Sequence, residues 1–275
     1  MLKDIRVPLL WVIMGLSLGL FVSEPIAQEI IEYEGLIEPH LVVKVGSPVV
    51  GIIETVTVDR GDRVTKGQVL VTLQSGVEKA TMALARARAE LEASIKAKRA
   101  ELEFAQRNQQ RIKSLYDKNA LPLQEWDTVE TKRILAELQL AEALENKRLA
   151  ELEFNQAQEV VQRKIILSPF DGVVEDRFLN VGEYVENQPI FKLAEIDPLN
   201  VEVILPVSMW SRVKPGMRAT IKPEAPVGGS HSAGVTIIDR VIDAASGTFG
   251  VRLELPNPEL RLPPGLKCKI IFHEK

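Results

Sequence analysis

The chain has 275 residues, of which 45% are hydrophobic and 26% charged, with a formal net charge of −4. That balance fits a folded chain of about two domains and argues against disorder. It also argues against nucleic-acid binding, since there is no basic stripe and few aromatic residues for base stacking.

The first 27 residues have the layout of a secretory signal. Lys3 and Arg6 precede an uncharged run from Val7 to Val22, and the chain turns polar at Ser23 and Glu24. The run is short against the roughly 20 apolar residues of a membrane span. Cleavage after Ala27 and retention as an N-terminal anchor both remain open, and both place the working chain outside the cytoplasm. Residues 28–46 are expected to supply leading β-strand, about residues 30–39, to the domains that follow.

Residues 47–73 and 168–194 align without a gap. "SPVVGII" returns as "SPFDGVV", Gly51 matches Gly172, Gly61 matches Gly182, and Val64 matches Val185. Each copy reads strand, turn, strand, with glycine where a turn needs positive φ or where backbones approach closely. One such half cannot bury its apolar face alone, whereas two packed together can. Residues 47–75 and 165–196 are therefore expected to form one small β-sandwich.

Between the copies, residues 76–164 change character. Gly76 is the only glycine and Pro122 the only proline, and Ala, Leu, Glu, Gln, Lys and Arg dominate. Two narrow apolar stripes stand out. One is Leu84, Leu91, Ile95, Leu102, Ala105 and Ile112; the other is Ile134, Leu138, Ala141, Leu144, Leu149 and Leu152. Stripes this narrow predict coiled-coil seams. Pro122 suits a helix start. The reading is two continuous helices, about 76–118 and 122–164, folded back antiparallel near residue 120, with Leu91 near Leu149 and Leu102 near Leu138. After Asp197, the segments "VEVIL", "RATIKP", "GVTIIDRVID", "GTFGVRLEL" and "KCKIIF", punctuated by Pro-Gly and Gly-Gly turns, predict a small antiparallel β-barrel over residues 197–275. The fold class is α+β.

No chemistry-bearing pattern accompanies this architecture. The single cysteine, Cys268, allows no intramolecular disulfide, and His40, His231 and His273 lack partners at metal-ligand spacing. GxSxG, HExxH and the GxxxxGK[ST] phosphate loop are absent. No enzyme activity, cofactor or metal site is expected.

The two β halves resemble a lipoyl or biotinyl carrier domain split in two. The carrier's modified lysine has no counterpart, since Lys79 begins a helix and lacks the flanking motif. Split halves, helical hairpin and barrel in this order resemble the periplasmic adaptor, or membrane fusion, family of the HlyD type. The resemblance rests on "VKVGSPVVGIIETVTVDRGDRVTKGQVLVTLQS", "SPFDGVVEDRFLNVGEYVENQPIFKLAEIDPLNVEVILP" and "IDAASGTFGVRLELPNPELRLPPGLKCKI", and covers nearly all of residues 30–275. It implies a non-catalytic subunit that joins an inner-membrane transporter to a TolC-type outer-membrane channel and assembles side by side into a ring. A resistance-nodulation-division (RND) transporter is favoured over an ABC transporter. The family's hairpin tip carries an Arg, a Leu four residues on, a Ser eleven on and an Asp sixteen on. Arg111, Leu115 and Asp127 match, Glu125 fits, and Pro122 stands at the serine position. The other reading is a structural coiled-coil envelope protein that tethers partners without transport.

Overall fold

The structure, a computed structural model, describes residues 32–273; the proposed leader lies outside them. The chain opens with β1 (Tyr33–Val45), then β2 (Gly51–Val56), β3 (Arg63–Val64) and β4 (Val69–Leu73). Three helices follow: α1 (Gly76–Ala89), α2 (Ala93–Tyr116) and α3 (Leu123–Gln162). The second half-repeat supplies β5 (Ile165–Leu167), β6 (Gly172–Arg177), β7 (Tyr184–Val185) and the start of β8 (Phe191–Pro206). A short 3₁₀ turn (Val207–Met209) leads to β9 (Arg218–Pro223), β10 (His231–Ile238), β11 (Thr248–Leu255) and β12 (Lys267–Phe272).

The half-repeats do not fold as separate lobes. They exchange strands about a pseudo-twofold: Gly51 of β2 pairs with Val185 of β7, and Val64 of β3 pairs with Gly172 of β6. Turn residues repeat the exchange. The Gly61 N–H donates to the Val174 carbonyl at 2.9 Å, and the Gly182 N–H donates to the Ile53 carbonyl at 2.9 Å. Val174 in turn donates to Asp62, and Ile53 to Glu183. Each half thus satisfies the other half's backbone, which a buried polar group requires. Ile53, Leu70, Leu73, Val174, Val185 and Phe191 from both halves fill one core.

The paired glycines serve two purposes. Gly61 and Gly182 sit at φ +90° and +88°, the left-handed region that favours glycine. Gly172 instead starts a strand, where a Cβ would collide with the Ala194 carbonyl oxygen; Gly51, its counterpart, has Leu73 and Lys164 close by. Ser47 and Ser168 are also used alike, each hydroxyl donating to the carbonyl two residues on.

The barrel has the order β1-β12-β9-β10-β11-β8 and closes by pairing β8 with β1. β8 runs unbroken through residue 197, where the sequence suggested a new region, so the barrel begins within a strand. β1 likewise serves both bodies, with a bulge between Pro39 and Leu41. Inward positions alternate along β8 and β11, as a closed barrel demands. They build a core that includes Ile37, Val201, Leu205, Ile221, Val251 and Ile270.

The hairpin folds near residue 120, with Glu92 beside Lys147, Lys98 beside Gln139 and Gln109 beside Glu130. Its seam differs from the expected stripes. On α3 the covered positions are Val129, Arg133, Ala136, Leu140, Ala143, Lys147, Ala150, Phe154, Ala157 and Val161, stepping alternately by four and three. The expected stripe of Ile134, Leu138, Ala141, Leu144, Leu149 and Leu152 faces outward, with Leu138 61% exposed. Size misled the sequence reading: four alanines and two cation stems hold six of the ten seam positions. Arg133 lays its stem there and pairs with Glu130 and Glu137; Lys147 pairs with Glu92. On the first arm Ile95, Leu102, Ala105 and Ile112 do face inward, whereas Leu84 and Leu91 do not.

The first arm is also not continuous, because α1 ends at Ala89 and α2 begins at Ala93. Its seam positions explain why. Glu78, Met82, Ala85 and Ala89 keep the heptad steps, but the next buried position, Ile95, comes six residues later rather than seven. At about 100° per residue, six residues stop roughly 120° short of two full turns. The chain recovers the seam by tightening, and the Leu91 N–H bonds the Arg88 carbonyl three residues back.

Two outcomes test this packing. Ala136→Glu should destabilise the hairpin by about 1–3 kcal/mol through an unpaired charge in the seam, while Leu138→Glu should stay within about 0.5 kcal/mol, both read by thermal melts. Inserting one alanine between Leu91 and Glu92 restores a seven-residue step. Amide exchange at residues 90–92 should then slow to the rate of the flanking helices.

Candidate docking surface at the hairpin tip

The tip is built by two helix ends. α2 closes with Asn119 at φ +56°, a left-handed conformation that asparagine tolerates. The Ala120 N–H bonds the Leu115 carbonyl at 3.0 Å, and the Asn119 N–H bonds that of Tyr116 at 2.8 Å. This is the Schellman arrangement, which satisfies carbonyls at the end of a helix. Pro122, extended at φ −71° and ψ 153°, is the N-cap of α3. Tyr116 and Trp126 stack across the arms with ring centroids 6.0 Å apart. That clasp was not singled out from the sequence, although an aromatic on each side of the turn was its available signal.

Arg111 and Leu115 lie exposed on the last turns of α2. Glu125 and Asp127 lie exposed on the first turns of α3, just after the exposed Pro122. Thus all five sequence candidates share one end of the hairpin. The side chains of Arg111, Glu125 and Asp127 take part in no ion pair among the described residues. Asp127 also lines a shallow open groove with Leu123, Gln124, Thr128, Thr131 and Lys132. The tip therefore presents free charges of both signs on a rigid support.

Charges behind the tip are engaged. Hydrogen bonds from Arg133 and then Gln109 hold the Glu130 carboxyl below its ordinary pKa. Lys96 and then Lys147 do the same for Glu92. At the base, Lys164 ties hairpin to sandwich, pairing with Glu78 at 3.1 Å and donating to the Val50 carbonyl at 3.2 Å. Among the described residues no group of three or more His, Cys, Asp or Glu converges on a metal position. Cys268 is buried in the barrel, and that burial pushes its thiol pKa up to about 11.

Residues 41–195 match the family model described as CzcB-like, barrel-sandwich hybrid domain. Residues 199–275 match the CusB-like, beta-barrel domain. The chain belongs to the CzcB-like membrane fusion, or adaptor, family. This adaptor is 27% identical over 224 residues to an uncharacterized protein of Haemophilus influenzae, covering 81% of this chain and 52% of that one. It is 25% identical over 217 residues to the cobalt-zinc-cadmium resistance protein CzcB of Cupriavidus metallidurans, covering 78% and 39%. To the antibiotic efflux pump periplasmic linker protein ArpA of Pseudomonas putida it is 24% identical over 254 residues, covering 86% and 60%. The chain thus spans about half the length of these relatives. Its fold is similar to that of MacA from Actinobacillus actinomycetemcomitans, with a TM-score of 0.72, 24% identity, and coverage of 89% of this chain and 79% of that one.

Proposed function

We propose that this protein is a non-catalytic periplasmic adaptor that bridges an inner-membrane transporter, of the RND type, and a TolC-type outer-membrane channel. The observation that carries the reading is a stiff arm mounted on a strand-exchanged base. α3 alone has 40 residues, about 60 Å of helix at 1.5 Å per residue, and the barrel lies beyond the base at the opposite end. Arg111, Leu115, Glu125 and Asp127 are the residues that meet the channel. The name of the relative ArpA carries the words "efflux pump periplasmic linker protein", which agrees with this role.

The outward stripes support side-by-side assembly of copies into a ring. Val77, Leu84 and Leu91 repeat every seven residues on the outer face of the first arm, and Leu149 and Leu152 lie at the same height on α3. Their flanks are complementary. α1 carries Lys79, Arg86 and Arg88 against one acid, Glu78, whereas residues 149–162 of α3 carry Glu151, Glu153 and Glu159 and no base. A neighbour's α3 set beside α1 buries both stripes and pairs the charges. Head-to-tail contacts of this kind close into rings when their rotation allows.

Arg111→Ala and Asp127→Ala should each reduce co-purification of the outer-membrane channel and raise retention of exported substrate in cells, with far-UV circular dichroism unchanged. Full recovery of the channel and normal export with both variants would remove the tip from the docking surface. Leu149→Asp with Leu152→Asp should shift the protein to smaller species in sedimentation velocity. An unchanged distribution would refute lateral packing through these faces.

A further inference from the structure

The barrel has two unlike ends. At one end β1 and β8 continue into the sandwich. The other end gathers the start of β1 at Tyr33, the end of β12 at Phe272, the 207–217 connection and the 239–247 hairpin tip. This far end breaks the rule that turns are polar. Val241, at the hairpin tip, is 83% exposed and is the most exposed large apolar side chain among the described residues. Ile242 beside it is exposed, as are Val207 and Trp210. These residues belong to one surface. The Val207 N–H donates to the Gly247 carbonyl at 2.9 Å, and Trp210 packs edge-on against Phe249 with centroids 5.0 Å apart.

The charges around this surface are mixed in an ordered way. The 207–217 connection carries Arg212 and Lys214 and no acid. The hairpin tip carries Arg240 between Asp239 and Asp243, and the Asp243 carboxylate is occupied in its own turn by the Ala245 N–H and the Ser246 hydroxyl. Protruding aliphatic residues, a half-exposed tryptophan and neighbouring cations form the chemistry of a bilayer interface. They are a poorer match to a protein partner, because a specific interface needs about 800 Å² per side and only four exposed apolar side chains of the described residues are gathered here.

The chain itself points the same way. The apolar run Val7–Val22, with Lys3 and Arg6 before it, joins the structure at this end through β1. Eleven residue steps separate Val22 from Tyr33, a reach of at most about 40 Å when fully extended. We infer that the far end of the barrel is a membrane-contact surface, on which Val241, Ile242, Val207 and Trp210 enter the headgroup region of a phospholipid bilayer. The inference is separate from channel docking, which concerns the opposite end of the molecule.

The test uses the full chain carrying Trp11→Phe and Trp126→Phe, so that Trp210 is the only tryptophan left. Trp126→Phe keeps a ring against Tyr116. The protein is reconstituted with phosphatidylethanolamine–phosphatidylglycerol vesicles whose acyl chains are brominated near the headgroup. Trp210 emission should fall by roughly half relative to unbrominated vesicles, as for an interfacial tryptophan. Val241→Asp with Ile242→Asp should abolish most of that quenching while vesicle co-sedimentation through the N-terminal run persists. Arg240→Glu, which leaves the apolar tip intact, should weaken it partially. Unquenched Trp210 on protein that co-sediments with the vesicles would overturn the inference. So would shielding of Trp210 that develops only when the inner-membrane transporter is co-reconstituted, which would make the surface a protein contact.

Discussion

The fold depends on a reciprocal exchange of backbone hydrogen bonds between two sequence repeats 121 positions apart. Gly61 reaches Val174 while Gly182 reaches Ile53, and the strands beside them swap partners in the same sense. Neither half can complete its ladder without the other, and an unpaired buried N–H or carbonyl costs about 1–3 kcal/mol. The exchange therefore joins the two ends of an 89-residue excursion, residues 76–164, at one place. It fixes where α1 leaves and where α3 returns, so the hairpin emerges as a directed arm. Lys164 reinforces that junction by touching both Glu78 of the arm and Val50 of the sandwich.

The arm obeys a second constraint, the mismatch between helix pitch and heptad spacing. α3 keeps alternating steps of three and four over its length and stays whole. The first arm loses one residue of spacing between Ala89 and Ile95 and breaks there, near the base and far from the tip. On α3 the seam gives four of its ten positions to alanine and two to cation stems, beside Val129, Leu140, Phe154 and Val161, and several of the helix's larger aliphatic side chains, among them Leu138 and Leu149, stay outside. Exposed leucine on the outer surface of a coiled coil marks a candidate interaction surface, and the proposed ring of copies would cover it.

Much of this was legible in the sequence, and the misses have physical causes. The gapless alignment of residues 47–73 with 168–194 disclosed the split sandwich, because turn glycines and alternating strands leave a strong pattern. The absence of glycine and proline on either side of Pro122 disclosed the hairpin and its fold point. The seam of α3 was misassigned because hydrophobic size was used where spacing decided: Ala136, Ala143 and Ala150 keep the heptad phase and Leu138 does not. The break at residues 90–92 was hidden for the same reason, since Leu91 looks like a core residue until Ala85 and Ala89 are counted. At the tip, Arg111, Leu115, Pro122, Glu125 and Asp127 were singled out by the family resemblance, and the structure places them at one end of the hairpin, whereas the Tyr116–Trp126 clasp needed three dimensions. The barrel's far end was invisible, since Val241 and Ile242 read as the continuation of a strand.

We propose that the two ends of this molecule face different membranes, the hairpin tip an outer-membrane channel and the barrel the inner membrane, and living cells allow a direct test. A photoreactive amino acid placed at Glu125, exposed in the first turn of α3, samples whatever faces the tip. Irradiation should produce a covalent adduct with a TolC-type outer-membrane channel, and the same probe at Val241 should produce none. Adducts from Glu125 that contain only inner-membrane proteins or other copies of this chain would contradict the account.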